Sequence, residues 1–232
     1  MNTSTPVSSP VSLIYIGDPM CSWCYGFGVP LAQLLGRFPE LPLQIVLGGL
    51  RAYNTQVMDD ALKAKLRSAW ASVAERSGQP FSQALFARAD FVYDTEPACR
   101  AVVTVREHAP HLALAMYHAV QQAFYADGRD TTKAAVLGEI WDEVHGRTKE
   151  AWGHIDFLRD FDSEAMRQRT RDDFAQAQRW GVRGFPTLLA VMDGQAQLLT
   201  SGYAEADVLV ERLARLVAAA APLPRHTDPP AS

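Results

Sequence analysis

Apolar and polar positions switch repeatedly between strand-like and helix-like periods along the chain. A short apolar run from Leu13 to Ile16 ends at Gly17-Asp18-Pro19, which predicts a buried strand stopped by turn chemistry. Ser22 to Phe38 follows at helical spacing, loosened by Gly26, Gly28 and Pro30 and broken by Pro39 and Pro42. Gln44 to Leu47 is a second β-prone run, closed by Gly48-Gly49. From about Thr55 to Trp180 no convincing strand recurs. Apolar residues return there at helical spacing, most clearly from His111 to Ala126, where Leu112, Ala115, Met116, Ala119, Val120, Ala123 and Phe124 share a face. Breaks at Gly78-Gln79-Pro80, Pro97, Pro110, Asp127-Gly128 and Gly146 divide this stretch into five to seven helices, with Asp130, Thr131 and Thr132 expected as caps for the helix through Trp141. Thr187 to Met192 then reads as a strand, Asp193-Gly194 as a hairpin turn, Ala196 to Thr200 as the partner strand, and Glu205 to Ala219 as a closing amphipathic helix.

The order is therefore β-α-β, many helices, β-β-α. Two-stranded pieces are marginal alone, so strands at both ends of a chain imply one sheet interrupted by a helical insertion. The expected organisation is a loose tail over 1–10, the first part of an α/β domain over 11–54, a helical insertion over 55–177, the second part of the domain over 178–221 and a second tail over 222–232. Composition narrows the class further. Among 232 residues, 22 Lys and Arg stand against 26 Asp and Glu, a balance that argues against capture of nucleic acid or of an anionic membrane. The N-terminus has no basic residue and no apolar run long enough for a secretory signal, so the expected location is the cytoplasm. Three cysteines are too few for a disulfide-stapled scaffold.

Two of those three form Cys21-Ser22-Trp23-Cys24, directly after a strand and at the start of a helix. Free backbone N–H groups and the positive end of the helix dipole favour a thiolate there. Cys21, the first and more exposed sulfur, is expected to have a lowered pKa and to act as nucleophile; Cys24, one turn on, is expected to close the intramolecular disulfide. A Cys-x-x-Cys pair can also supply half of a zinc site, but no second pair and no spaced histidines complete one, so no metal is expected. Cys99 reads as a buried small apolar residue. His108, His111, His118, His145, His154 and His226 form no ligand set and are expected at surfaces or helix ends. Trp70, Trp141, Trp152, Trp180, Phe86, Phe91 and Tyr93 read as core or subdomain-interface residues.

The Cys pair after its strand, the large helical insertion, and Gly184-Phe185-Pro186-Thr187 before a hairpin and a last helix together resemble the thioredoxin superfamily, and within it the DsbA-like branch. The phrase Asp18-Pro19-Met20-Cys21-Ser22-Trp23-Cys24-Tyr25-Gly26-Phe27 is similar to that of FrnE-type proteins and predicted protein disulfide isomerases. The resemblance covers roughly residues 11–220 and implies a thioredoxin-like fold and thiol–disulfide oxidoreductase activity. It implies a cis peptide before Pro186, beside the two cysteines, and a substrate groove built from Ser22, Trp23, Phe185, Pro186 and Thr187. The implied partners are a thiol- or disulfide-containing protein or small molecule and a recycling redox partner. No prosthetic group is implied, with glutathione a candidate co-substrate.

Two departures alter the expected chemistry. The periplasmic DsbA motif has histidine before its second cysteine, where this chain has Trp23, which offers an N–H donor but no positive charge. A less oxidising couple is expected. Thioredoxin-type enzymes often carry a buried acid in the strand before the motif, whereas Ser12 to Ile16 supplies none and Asp18 falls in the turn. Two other classes stay open at this point. One is a glutathione-dependent isomerase or transferase akin to 2-hydroxychromene-2-carboxylate isomerases and kappa-class glutathione transferases, relatives that usually carry serine where Cys21 stands. The other is a non-enzymatic binding or metal-handling module.

Overall fold

The computed structural model describes residues 11–148 and 151–220; the two expected tails and His226 lie outside the described residues. Four strands, β1 (Ser12–Gly17), β2 (Leu43–Leu47), β3 (Thr187–Met192) and β4 (Gln195–Ser201), form one sheet in the order β2-β1-β3-β4. β1 is parallel to β2, with Leu13 opposite Leu43 and Gly17 opposite Leu47, and antiparallel to β3. A parallel pair needs a crossover, and α1 (Ser22–Arg37) provides it. The hairpin between β3 and β4 turns at Asp193 and Gly194, both at positive φ (51° and 74°), the backbone that a two-residue turn with right-handed strand twist requires.

The strands alternate as their period of two demands. Leu13, Tyr15, Ile45, Leu47, Leu188, Ala190 and Leu199 face the main core, while Ile16 and Val46 face a smaller cluster on the opposite side. In α1 the buried stripe Cys24, Phe27, Leu31 and Leu34 repeats at three and four residues and seats the helix against the main core.

Between β2 and β3 lie α2 (Asp60–Ser77), α3 (Glu96–His108), α4 (Ala113–Tyr125), α5 (Ala134–His145), α6 (His154–Phe161) and α7 (Glu164–Arg179), with short 3-10 turns at Ala84–Ala87 and Pro110–Leu112; α8 (Ala206–Ala220) ends the described chain. Local capping chemistry sets several boundaries. Asp59 accepts the Leu62 N–H at the start of α2, Gly78 closes that helix at φ 71°, and Ser163 accepts the Met166 N–H at the start of α7. The expected caps of α5 behave differently. Lys133 is the residue before the helix and makes no side-chain cap; the Asp130 carboxylate instead takes the backbone N–H and hydroxyl of Thr132. That local turn competes with a helix cap and wins.

The fold is the α/β thioredoxin-like class with a helical insertion, as the strand order implies. α7, the last helix before β3, lies against β2 on the outer face, where Ala177 joins Ile16 and Val46. Trp70 and Trp141 are fully buried, but Trp180 is 41% exposed, contrary to the expectation of a core or subdomain-interface position. It follows the last turn of α7, where the chain leaves the packed surface.

α3 is buried along most of its length; it carries Arg100 into the interior and Arg106 to its edge. Arg100 is neutralised by Glu96 at 2.9 Å, and Arg106 forms a two-pronged pair with Asp173 of α7 at 2.6 and 2.9 Å. The same Asp173 carboxylate accepts the Leu47 N–H at 2.9 Å, and Arg106 donates to the Ile45 carbonyl at 2.7 Å. One ion pair thus satisfies backbone groups of β2 while joining α3 to α7. Removing Asp173 leaves the part-buried Arg106 with only the Ile45 carbonyl and Glu107 at 3.7 Å, and leaves the Leu47 N–H without its acceptor, which costs more than the pair's own contribution. Asp173→Ala is expected to lower the unfolding free energy by about 3 kcal/mol in a urea titration; a loss below about 1 kcal/mol, the size seen for surface pairs, would contradict this account.

Candidate active site

The loop from β1 to α1 is held from below by one carboxylate. Asp18 is fully buried and accepts the N–H groups of Met20 at 2.8 Å and Leu50 at 2.6 Å, a hydrogen bond from the Thr95 side chain, and the Cys99 thiol at 3.5 Å. Burial raises the Asp18 pKa, and these four donors pull it back down. Its own carbonyl takes the Cys21 N–H at 3.0 Å, and Tyr93 donates its hydroxyl to the Met20 carbonyl. The turn residue of the sequence is therefore a buried acid. Asp18 to Met20 has the local signature of an aspartate binding the N–H two residues on, but nothing local announces its burial. Tyr93, read from the sequence only as core, is one of the residues that fix the loop.

This loop presents Cys21 at the N-cap of α1, with extended backbone (φ −94°, ψ 118°), and Cys24 on the buried face of the helix. Both are free thiols; Cys21 is 6% exposed and Cys24 fully buried. The relative accessibility follows the expected order, but the thiol chemistry does not. The Cys21 pKa is raised rather than lowered, first by its hydrogen bond to the Cys24 side chain, then by burial and the negative charge that Cys24 would carry; Asp18 adds to the rise. The backbone N–H of Cys24 opposes it, as a helix start should, but is outweighed.

The facing wall comes from the far end of the chain. The Phe185–Pro186 peptide is cis, and the Phe185 carbonyl lies 3.8 Å from the Cys21 sulfur. The Phe185 ring packs on Gly48 so closely that a Cβ there would collide with it, which explains the glycine at the end of β2. Pro186 is buried and its carbonyl accepts the Gly202 N–H at 2.7 Å; Thr187 is buried with its hydroxyl on the Gly184 carbonyl at 2.9 Å. Ser22 is half-buried, and Trp23 is 36% exposed beside Tyr203, with ring centres 5.8 Å apart. Trp23 and Tyr203 border a cavity of about 610 Å³ shared with Ser72, Glu75 and Arg76. Of the expected groove residues, the Phe185 carbonyl meets Cys21, Trp23 borders the cavity beside Tyr203, Cys24 is fully buried, and the Thr187 side chain is committed to its own loop.

Away from this opening, Cys99 is buried as expected, although its thiol is turned onto Asp18 and not left in purely apolar surroundings. His118 departs from the expected surface position. It is half-buried on α4 with its Nε2 shielded from water, and burial lowers its pKa. His108 stacks on Trp152 and His154 pairs with Asp142, both outside the site. Among the described residues, no group of three or more His, Cys, Asp or Glu side chains is placed to hold a metal ion, and no helix is long and apolar enough to cross a membrane.

A dithiol at a helix start, set against a cis-proline loop in a thioredoxin-like sheet, defines the disulfide oxidoreductase class of this fold. The sequence profile of the DSBA-like thioredoxin domain matches residues 15–214, and the chain belongs to that family. Similar solved structures include a candidate protein disulfide isomerase from Nitrosomonas europaea (31% identity, TM-score 0.82, covering 91% of this chain and 99% of that one). The cytosolic disulfide reductase DsbM from Pseudomonas aeruginosa is similar at 27% identity and TM-score 0.72, covering 90% of this chain and 99% of its own. It is also known with GSH, in a structure that matches at 26% identity, TM-score 0.70, and 89% and 99% coverage. No curated protein sequence matches significantly.

Because the neighbouring thiol is the first cause of the raised Cys21 pKa, the site makes a signed prediction. The iodoacetamide reactivity of reduced protein should keep rising through pH 9, and Cys24→Ala should move the midpoint of that rise downward. A reactivity plateau below pH 7 in the wild type would refute the assignment.

Proposed function

We propose that the protein catalyses thiol–disulfide exchange through Cys21 and Cys24, working mainly as a reductase. The observation that carries this is the position of the Cys21 sulfur, at the N-cap of α1 and 3.8 Å from the Phe185 carbonyl, with Cys24 directly behind it. Cys21, as thiolate, attacks one sulfur of a substrate disulfide; a Cys21–substrate bond forms, and the other substrate sulfur leaves as a thiolate that takes up a proton. Cys24 then attacks Cys21, the Cys21–Cys24 bond forms, and the second substrate thiol is released. Two electrons pass from the dithiol to the substrate, and a recycling partner returns them.

The direction is argued from electrostatics. A strongly oxidising enzyme of this fold stabilises its reduced form as a thiolate. Here Trp23 supplies no charge, and the Cys21 pKa is pushed upward. The reduced form gains little from ionisation, which favours a reducing couple and work in a reducing cytoplasm. Similarity to a disulfide reductase known with GSH supports glutathione as a co-substrate. Trp23, Arg76 and Glu75 around the adjoining cavity offer an aromatic face and both signs of charge for such a zwitterionic thiol.

Insulin reduction is expected in the wild type and lost in Cys21→Ser, whereas Cys24→Ala should accumulate a Cys21–substrate mixed disulfide visible by mass spectrometry. Activity equal in wild type and Cys21→Ser would sink the proposal, and glutathione-dependent turnover indifferent to Cys24 would favour an isomerase or transferase. Equilibration with glutathione should give a potential at or below about −220 mV; a value near −120 mV, that of a strong oxidant, would reverse the assigned direction.

A further inference from the structure

The stretch that joins α7 to the cis-proline loop carries charge that the rest of the fold leaves unspent. α7 ends in a closed turn: Gly181, at φ 71°, gives its N–H to the Gln178 carbonyl at 2.9 Å, and Val182 gives its N–H to the Ala177 carbonyl at 3.1 Å. Val182 and Ala177 both pack in the outer cluster with Ile16 and Val46. With the backbone held this way and Val182 drawn onto the cluster, Arg179, Trp180 and Arg183 are left exposed within one short stretch.

These two arginines differ from their neighbours on α7. Arg167 pairs with Asp162, Arg169 with Glu107 and Arg171 with Glu164, whereas Arg179 binds the neutral Gln176 side chain and Arg183 meets no acidic partner among the described residues. In a chain whose acidic residues outnumber its basic ones, 26 to 22, two uncompensated cations beside an exposed indole are a local feature and not a general one. They are also close to the chemistry. Arg183 is two residues before Phe185, so their α-carbons are at most about 7 Å apart, and the Phe185 carbonyl is 3.8 Å from the Cys21 sulfur. Beside Trp23 the charge is balanced differently, because Arg76 is tied to Glu205 at 2.8 Å and shares its cavity with Glu75.

We propose that Arg179, Trp180 and Arg183 form a docking surface for an acidic polypeptide that carries its disulfide to Cys21. This rests on the assignment of Cys21 as the exchanging thiol. Carboxylates of such a partner supply the counter-ions that the fold omits, and its apolar side chains cover the Trp180 ring; arginine and tryptophan are residue types that anchor protein interfaces. Opposite charge acts on the encounter over about a Debye length, roughly 8 Å at physiological ionic strength, so two cations near the thiol speed the arrival of an acidic segment and slow that of a basic one. A small neutral disulfide gives them nothing to hold. The surface selects among polypeptides and leaves the exchange itself to the sulfurs.

The test compares substrates that differ only in charge. Two peptides of equal length, each closed by a disulfide and flanked by glutamates in one and lysines in the other, are mixed with reduced protein at low salt, beside hydroxyethyl disulfide. Loss of protein thiol is followed by acid quench and mass spectrometry. The wild type is expected to react about tenfold faster with the acidic peptide than with the basic one, a ratio that falls towards unity in concentrated salt. Arg179→Gln combined with Arg183→Gln should bring the ratio within about twofold, and Arg183→Glu should slow the acidic peptide about tenfold. Trp180→Ala should slow both peptides alike, by about threefold. Hydroxyethyl disulfide should keep its rate within about twofold throughout, which a distorted active-site loop would not allow. Equal rates for the two peptides in the wild type would overturn the proposal, as would a ratio unmoved by the arginine substitutions, peptide rates unmoved by Trp180→Ala, or an equal loss with hydroxyethyl disulfide. A wild type that reacts with none of the three disulfides would overturn the oxidoreductase assignment, and this proposal with it.

Discussion

The Asp18 carboxylate is the constraint on which the site depends. A buried carboxylate is tolerated only where donors replace its water, and here they come from three separate parts of the chain: Met20 in its own loop, Leu50 after β2, and Thr95 and Cys99 at the start of α3. Satisfying one group therefore fixes the distance from the motif loop to the second strand and to the most buried helix of the insertion. The Cys21 N–H then closes on the Asp18 carbonyl, and the sulfur is delivered to the first turn of α1 facing Phe185. Thr95 extends the arrangement by accepting the Arg51 N–H at 3.2 Å, which ties the loop after β2 to the start of α3 directly as well as through Asp18.

The same carboxylate helps to explain why a helix start does not yield an acidic thiol. The helix supplies an N–H to Cys21, yet Asp18 lies beneath it and Cys24 beside it, and both resist a second negative charge. In relatives with a histidine before the second cysteine, a positive charge would tip that balance toward the thiolate; Trp23 leaves it untipped. The motif is therefore best understood as a pair of sulfurs competing for a small supply of donors. The backbone N–H of Cys24 serves Cys21, and nothing else offsets the rise.

What the sequence reveals and what it hides divide along the range of the interactions. The strands, the helix after the motif, the Asp193-Gly194 hairpin and the Cys21–Cys24 pair are legible because each depends on residues a few positions apart. The Asp18 donors are 2, 32, 77 and 81 positions away, counting to Met20, Leu50, Thr95 and Cys99, and only the first has a local signature. Tyr15 alternates with Ile14 and Ile16 as any strand residue would, and its partner Tyr117 is 102 positions on. Arg106 and Asp173 likewise read as solvated charges on helices until packing brings them together. His118 sits at helical spacing beside small and apolar residues, and only the packing of α4 decides that its Nε2 is shielded from water.

The helical insertion is consequently more than a cover added to a finished redox domain. α3 supplies Thr95 at its cap and Cys99 in its first turn, α4 supplies Tyr117, and the stretch before α3 supplies Tyr93, so polar contacts beneath the motif cross from the sheet into the helices. One continuous apolar core joins Leu13 and Leu188 of the sheet to Val102, Phe124 and Trp141. A smaller thioredoxin-like domain must satisfy the groups under its motif with its own strands and helices. This chain draws buried donors for Asp18 from the insertion, so a change in helix packing far from the thiols acts on the carboxylate that lies beneath Cys21.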